Sequence, residues 1–212
     1  MSLSKVQAES IDLTATYAFS GTVTDTVTRN LVLLQTLTAS SSATLSFTSG
    51  IDNTYQSYVF KFINIHRETD STNFSFQASI DNGSNYNTTV TNTLFRALQN
   101  EAGNTTALSY STGADQAQGT AFIRLDEDDG GNDNDQSLSG TLEIYNPSST
   151  TFVKHYQGHV QYSQKDDYSI QSFTAGYFNT TSAINAVQFK MGSGDIDSGT
   201  IKMYGVLWSL MV

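Results

Sequence analysis

The stretch Gly199-Thr-Ile-Lys-Met-Tyr-Gly-Val-Leu-Trp-Ser-Leu210 decides how this chain is expected to fold. In an extended strand Thr200, Lys202, Tyr204, Val206, Trp208 and Leu210 share one side, and Ile201, Met203, Gly205, Leu207, Ser209 and Met211 share the other. Both sides turn apolar toward the end. Such a strand is covered on both faces, either between two layers or half in its own core and half against another subunit. Gly205 and the β-branched and aromatic content disfavour the competing amphipathic helix. The preceding Met191-Gly-Ser-Gly-Asp-Ile-Asp-Ser-Gly199 has no helical period and suits a tight re-entry into a sheet.

Working back through the chain, the same period of two recurs. Leu31–Leu37 is a short apolar run, and Ala43, Leu45 and Phe47 alternate with Thr and Ser. In Tyr55–Ile65, Tyr58, Phe60, Phe62 and Asn64 oppose Val59, Lys61, Ile63 and Ile65, the pattern of a central strand. Phe74, Phe76, Ala78 and Ile80 share a face, and Asp81-Asn-Gly83 then signals a hairpin with Ser84–Val90 as partner. Residues 91–120 carry the weakest pattern, Thr93–Leu98 fitting either a helical turn or a strand. Further strands are expected at Ala121–Leu125, Leu138–Tyr145, Thr151–Ser163, Ser169–Phe178 and Ile184–Met191. Turn signals about every ten to fifteen residues predict an all-β protein, an antiparallel β-sandwich of jelly-roll type. Two parts are expected, an extended N-terminal docking arm over 1–29 and a single sandwich domain over 30–212.

Composition narrows the function. The chain of 212 residues is 38% apolar, enough for one substantial core. One proline, fifteen glycines and abundant Ser, Thr and Asn mark a turn-rich β protein rather than a disordered one. With no cysteine there are no disulfides, thiolate metal sites or cysteine nucleophile. A net charge of -10 disfavours nucleic acid, whose phosphates need a basic surface. No run suits a signal peptide and none reaches the ~20 apolar residues of a membrane span, so synthesis in a cytosol and no membrane insertion are expected. In the arm, Ile11, Leu13, Tyr17 and Phe19 are spaced too irregularly for a core. They are expected to dock on a neighbouring subunit or partner, with an edge strand of the chain's own domain as the alternative.

Val6-Gln-Ala-Glu-Ser-Ile-Asp-Leu-Thr-Ala-Thr-Tyr-Ala-Phe-Ser-Gly-Thr-Val-Thr24 resembles the leader segments of tail-fibre and other virion structural proteins of tailed, especially marine, bacteriophages. Phe47–Tyr55, Gly140–Pro147, Ala183–Phe189 and Ser198–Val206 are similar to strand and turn phrases of the β-sandwich modules in those proteins. The resemblance implies a non-catalytic protein of the virion surface, a small tail fibre or receptor-binding module acting in host adsorption. Because the family's fibres are commonly longer, a capsid decoration, cement or spike protein is the alternative. Either role implies other virion proteins as partners and a homo-oligomer, a trimer in the first instance, with Trp208 and Leu210 in the buried seam.

Four chemistries compete with that reading. His155 and His159 are four residues apart, but along a strand that is ~13 Å, too far for two ligands of one ion. No Gly-x-Ser-x-Gly elbow localises a nucleophile. Asp126, Asp128, Asp129, Asp133 and Asp135 around Gly130-Gly131 offer calcium its oxygen ligands, yet the spacing fits no EF-hand, so a solvated hairpin tip is favoured and no resident cofactor is expected. Finally, Tyr86, Tyr110, Tyr168 and Tyr177 among Asn, Gln and Asp are residue types that contact glycans, which keeps a carbohydrate-binding module as a further alternative.

Overall fold

The computed structural model describes residues 31–207. No helix occurs among them, and thirteen strands pair antiparallel in two sheets. The smaller sheet runs β2 (Leu45–Phe47), β12 (Ala186–Met191), β4 (Phe74–Ser79), β8 (Ile123–Arg124). The larger runs β1 (Leu31–Ser42), β13 (Ile196–Val206), β3 (Ser57–Arg67), β9 (Leu138–Tyr145), β10 (Lys154–Gln164), β11 (Tyr168–Phe178), β5 (Val90–Asn100). Beyond β5 its far edge is shared by β6 (Thr106–Tyr110) and β7 (Gln116–Gly119).

The expected sandwich and its jelly-roll character are both present. Strand β1 pairs with β13, β2 with β12, β3 with β9 and β4 with β8, the nested pairing of one long hairpin rolled into two sheets. Strands β5–β7 and β10–β11 are insertions into that roll. Both widen only the larger sheet, which therefore extends past the smaller one.

Alternation builds the core. Tyr58, Phe60 and Phe62 of β3, Leu142 and Ile144 of β9, Tyr156, Val160 and Tyr162 of β10, and Ile201 and Met203 of β13 are all buried. Phe189 of β12 is the hub of the facing layer. Its ring lies 5.3 Å from those of Phe60 and Phe62, 5.8 Å from Phe74, 6.1 Å from Phe47 and 6.2 Å from Phe76. Most of these pairs are edge-on or tilted, the geometry ring quadrupoles favour, worth about 0.5–1.5 kcal/mol each beyond burial. The closing strand fits its sequence as far as it is described: Ile201 and Met203 point to the core, and the Lys61 ammonium lies 5.8 Å from the Tyr204 ring on the other face. The arm 1–29 with Ile11, Leu13, Tyr17 and Phe19, and the proposed seam residues Trp208 and Leu210, lie outside the described residues.

Two local expectations are corrected. Asp81-Asn-Gly83 does turn, but Ser84–Val90 does not return beside β4, because β12 and β8 already occupy both of its edges. The segment instead crosses toward the larger sheet, held to β4 by Thr88 Oγ1 donating to the Ala78 carbonyl and Gln77 Nε2 donating to the Thr88 carbonyl. Of the two alternatives for Thr93–Leu98 the strand is the one present, as the middle of β5. The second correction is in β3, where Asn64 takes a positive φ of 49° and the pairing slips between Phe62 and Ile65. This bulge adds one residue, so Ile65 and Arg67 follow Phe62 into the interior while Asn64 is exposed. Opposite it, Gly199 has a φ of 116°, and a Cβ there would lie 2.5 Å from the Asn64 carbonyl oxygen. Only glycine fits that approach.

Candidate functional site

The first half of the acidic run, 126–131, is built into a seam between the sheets, while its second half remains at the surface. The bulge sends Arg67 inward, where its Nη2 donates to Asp126 Oδ2 at 2.6 Å, with the side chains 2% and 0% exposed. Asp126 Oδ1 accepts the Phe74 N–H at the start of β4. Two other arginines converge on the run. Arg96 of β5 pairs with Asp129 and, at 2.9 Å, with Glu127, and Arg124 of β8 reaches Asp128 at 2.6 Å. Asn73 donates to the other oxygen of Asp128, and the Tyr162 hydroxyl donates to Asp129 at 2.7 Å. Main-chain bonds complete the seam: the Ser71 and Lys165 amides donate to the Gly130 and Asp129 carbonyls, and the Gly131 amide to that of Ser163. Strands β3, β5 and β10 of one sheet are thereby tied to β4 and β8 of the other.

Burial pushes the Asp126 carboxyl up to about 6, against the opposing pull of Arg67 and the Phe74 amide. Burial also raises Glu127, with Arg96 pulling the other way. Asp126, Asp128 and Asp129 are thus engaged by cations, whereas Asp133 and Asp135 are exposed and border a separate acidic cleft with Glu101 and Asp167. The five candidate calcium ligands are not brought together. Among the described residues no group of three or more His, Asp or Glu is placed to hold a metal ion.

The candidate tyrosines also separate. Tyr168 packs against the core, and the Tyr86 hydroxyl is buried without a partner. Tyr177 lies beside His155, ring centroids 6.1 Å apart. Tyr110 belongs to an unforeseen feature. Register places Tyr110 of β6, Phe95 of β5, Phe173 of β11 and His159 of β10 side by side on the outer face of the larger sheet, followed by Thr141 of β9 and Lys61 of β3. Phe95 and Phe173 stack with centroids 4.9 Å apart and planes 12° from parallel, and the His159 ring lies 6.3 Å from Phe173.

The next row on the same face is Thr93, Ala175, Gln157, Glu143 and Val59. Between the two rows lies a groove of about 460 Å³, within the size of small-ligand sites. Its polar groups are partly committed. Ser57 Oγ donates to Glu143 Oε1 at 2.7 Å, Tyr145 donates to Oε2 at 3.1 Å, and Gln157 Nε2 donates to the Tyr145 hydroxyl. Burial raises the Tyr145 phenol to about 12, with the adjacent carboxylate adding to it, so it stays a donor to Glu143 at neutral pH. His159 Nδ1 lies 3.4 Å from Thr141 Oγ1, and His66 contacts Asp197 and the Asp133 carbonyl. The groove therefore offers an apolar wall, a floor of small side chains and a few fixed polar atoms, an arrangement that can bind and orient a ligand. No family model, curated protein or solved structure matches this chain.

Proposed function

We propose that this chain is a non-catalytic surface protein of a tailed-phage virion, acting in host adsorption as a small fibre or receptor-binding module. The supporting observation is the outer face of the larger sheet. Insertions widen that sheet beyond its partner, and the face they enlarge carries ring stacks and a groove instead of a second layer. A sheet face that the described residues leave uncovered suits recognition. The leader-like segment and the sandwich phrases noted in the sequence supply the virion setting.

One observation favours the decoration reading. Strand β1 is a twelve-residue edge that exposes Leu31 and Leu33 where the chain enters the sandwich, which suits anchoring on a shell. Immunogold labelling of purified particles separates the two. The antibody is best raised against the exposed hairpin 101–110, since 126–131 is bound into the seam. Gold at the tail tip supports adsorption, gold over the head makes this a decoration protein, and particles that never label rule out both.

A further inference from the structure

We infer that the groove on the outer face of the larger sheet binds an uncharged, extended glycan lying across the strands. The biological setting rests on the adsorption reading; the chemistry rests on the groove alone. Neighbouring strands are ~4.8 Å apart, so the wall from Tyr110 through Phe95 and Phe173 to His159 runs for roughly 14 Å in a straight line across four strands. A linear ligand is what such a wall fits. Because Phe95 and Phe173 are stacked on one another, they give the groove their edges, whose positive rim suits hydroxyl oxygens, and an apolar flank that suits sugar C–H groups.

Charge and hydrogen bonding select among ligands. Among the described residues no lysine or arginine lines the groove and its one carboxylate is Glu143, and the chain carries -10, so polyanions are repelled. An extended peptide gains most of its affinity from main-chain bonds to a sheet edge, whereas here the main chain of β9, β10, β11 and β5 is already paired on both sides. What remains are side-chain groups. Glu143 keeps unused acceptor capacity beyond the Ser57 and Tyr145 hydroxyls, Gln157 keeps its amide oxygen, and Thr93 and His159 stand exposed at the rim. Acceptors set opposite an apolar wall match a ligand with hydroxyl donors on one side and C–H surface on the other, which describes a neutral sugar chain.

The test is calorimetric titration of the full chain with neutral hexasaccharides of glucose, mannose, galactose and xylose, and with polygalacturonate and alginate as anionic controls. Binding to at least one neutral hexasaccharide and to neither polyanion is expected. Thr93→Arg sets a long charged side chain at the exposed rim of the groove without touching the core; it is expected to weaken binding at least about tenfold with Tm unchanged, and Gln157→Ala to weaken it several-fold. No neutral binding at about 10 mM, preference for a polyanion, or binding that survives Thr93→Arg overturns the proposal. Fluorescent labelling of candidate host cells keeps the two readings apart. If the chain labels cells and Thr93→Arg labels them equally, the groove assignment fails while adsorption stands. If neutral glycans bind in the groove but neither cells nor particles label, adsorption fails while the groove stands.

Discussion

Arg67 and Asp126 form a buried ion pair, 2.6 Å from nitrogen to oxygen, that joins the end of β3 in one sheet to the segment after β8 of the other. Asp126 is satisfied on both oxygens, by Arg67 and by the Phe74 amide, while Arg67 Nη1 has no hydrogen-bond partner. The Arg67 guanidinium also lies 5.7 Å from the Tyr162 ring, whose hydroxyl carries the network on to Asp129. The pair is therefore a node of the seam, and its worth depends on what replaces it.

Removing one partner leaves an uncompensated buried charge. Arg67→Met alone, which strands the Asp126 carboxylate, is expected to cost about 3–5 kcal/mol at pH 7, a fall in Tm on the order of 10 °C. The double change Arg67→Met with Asp126→Leu removes both charges and is expected to recover most of that loss. Thermal melts of the two variants check this; a double variant as unstable as Arg67→Met alone would show that the ion pair is worth more than apolar side chains in its place.

Asp126 also has a pH signature. Its folded carboxyl sits near 6, above the ordinary 3.8, so its contribution to stability is full below about pH 4 and is lost as pH rises through about 6. The Tm of the native chain relative to the non-titrating Asp126→Asn is expected to rise as pH falls from 7 to 4. If it falls instead, attraction by Arg67 outweighs burial and the carboxyl is depressed.

What the sequence disclosed and what it hid divide along one physical line. A strand with one buried face must alternate, so Tyr58-x-Phe60-x-Phe62 and Ile201-x-Met203 were legible from spacing alone. The Asn64 bulge was not, because it depends on Gly199 across the ladder. Without it, alternation puts Asn64 on the core face and leaves Arg67 beyond the expected strand Tyr55–Ile65. The acidic run was visible as charge, but the counter-charges come from β3, β5 and β8. A usable signal did exist: Arg96 follows Phe95, and Arg124 sits between Ile123 and Leu125, placing cations inside strands. The ring row had no such signal. Tyr110, Phe95, Phe173 and His159 are each an ordinary outward strand position, and only the register of four strands aligns them.

Gly130 is where backbone and seam meet most closely. It bridges Thr72 and Gln164, and a Cβ built on it would lie 0.7 Å from Arg67 Nη1 and 2.0 Å from the guanidinium carbon. Arginine is flexible, but this one is pinned by Asp126 and has no solvent to move into. Gly130→Ala is expected to expel the guanidinium and cost about as much as losing the pair, roughly 3–5 kcal/mol. Adding Gly130→Ala to Arg67→Met should cost much less than on the native background. Equal penalties on the two backgrounds would place the strain in the backbone instead.

At the far end of β4, Asp81 shows the opposite titration. Its Oδ1 accepts from the Ser79 hydroxyl at 2.6 Å and from the Asn85 amide at 2.9 Å, and Oδ2 accepts from Asn85 Nδ2 at 2.7 Å. The Ser79 hydroxyl and then the two Asn85 donors hold the carboxyl down to about 2, because each bonds the ionised form. A depressed carboxyl contributes stability above its ordinary 3.8 that is lost as pH falls through about 2. The turn that launches the crossover from β4 to β5 is therefore expected to loosen between pH 4 and pH 2, before the core does. Carboxyl NMR should give an Asp81 midpoint near 2, and amide exchange at Asn85 should quicken over the same interval in the native chain but run fast at every pH in Asp81→Ala. A midpoint near 4 would mean that these hydrogen bonds do not persist in solution.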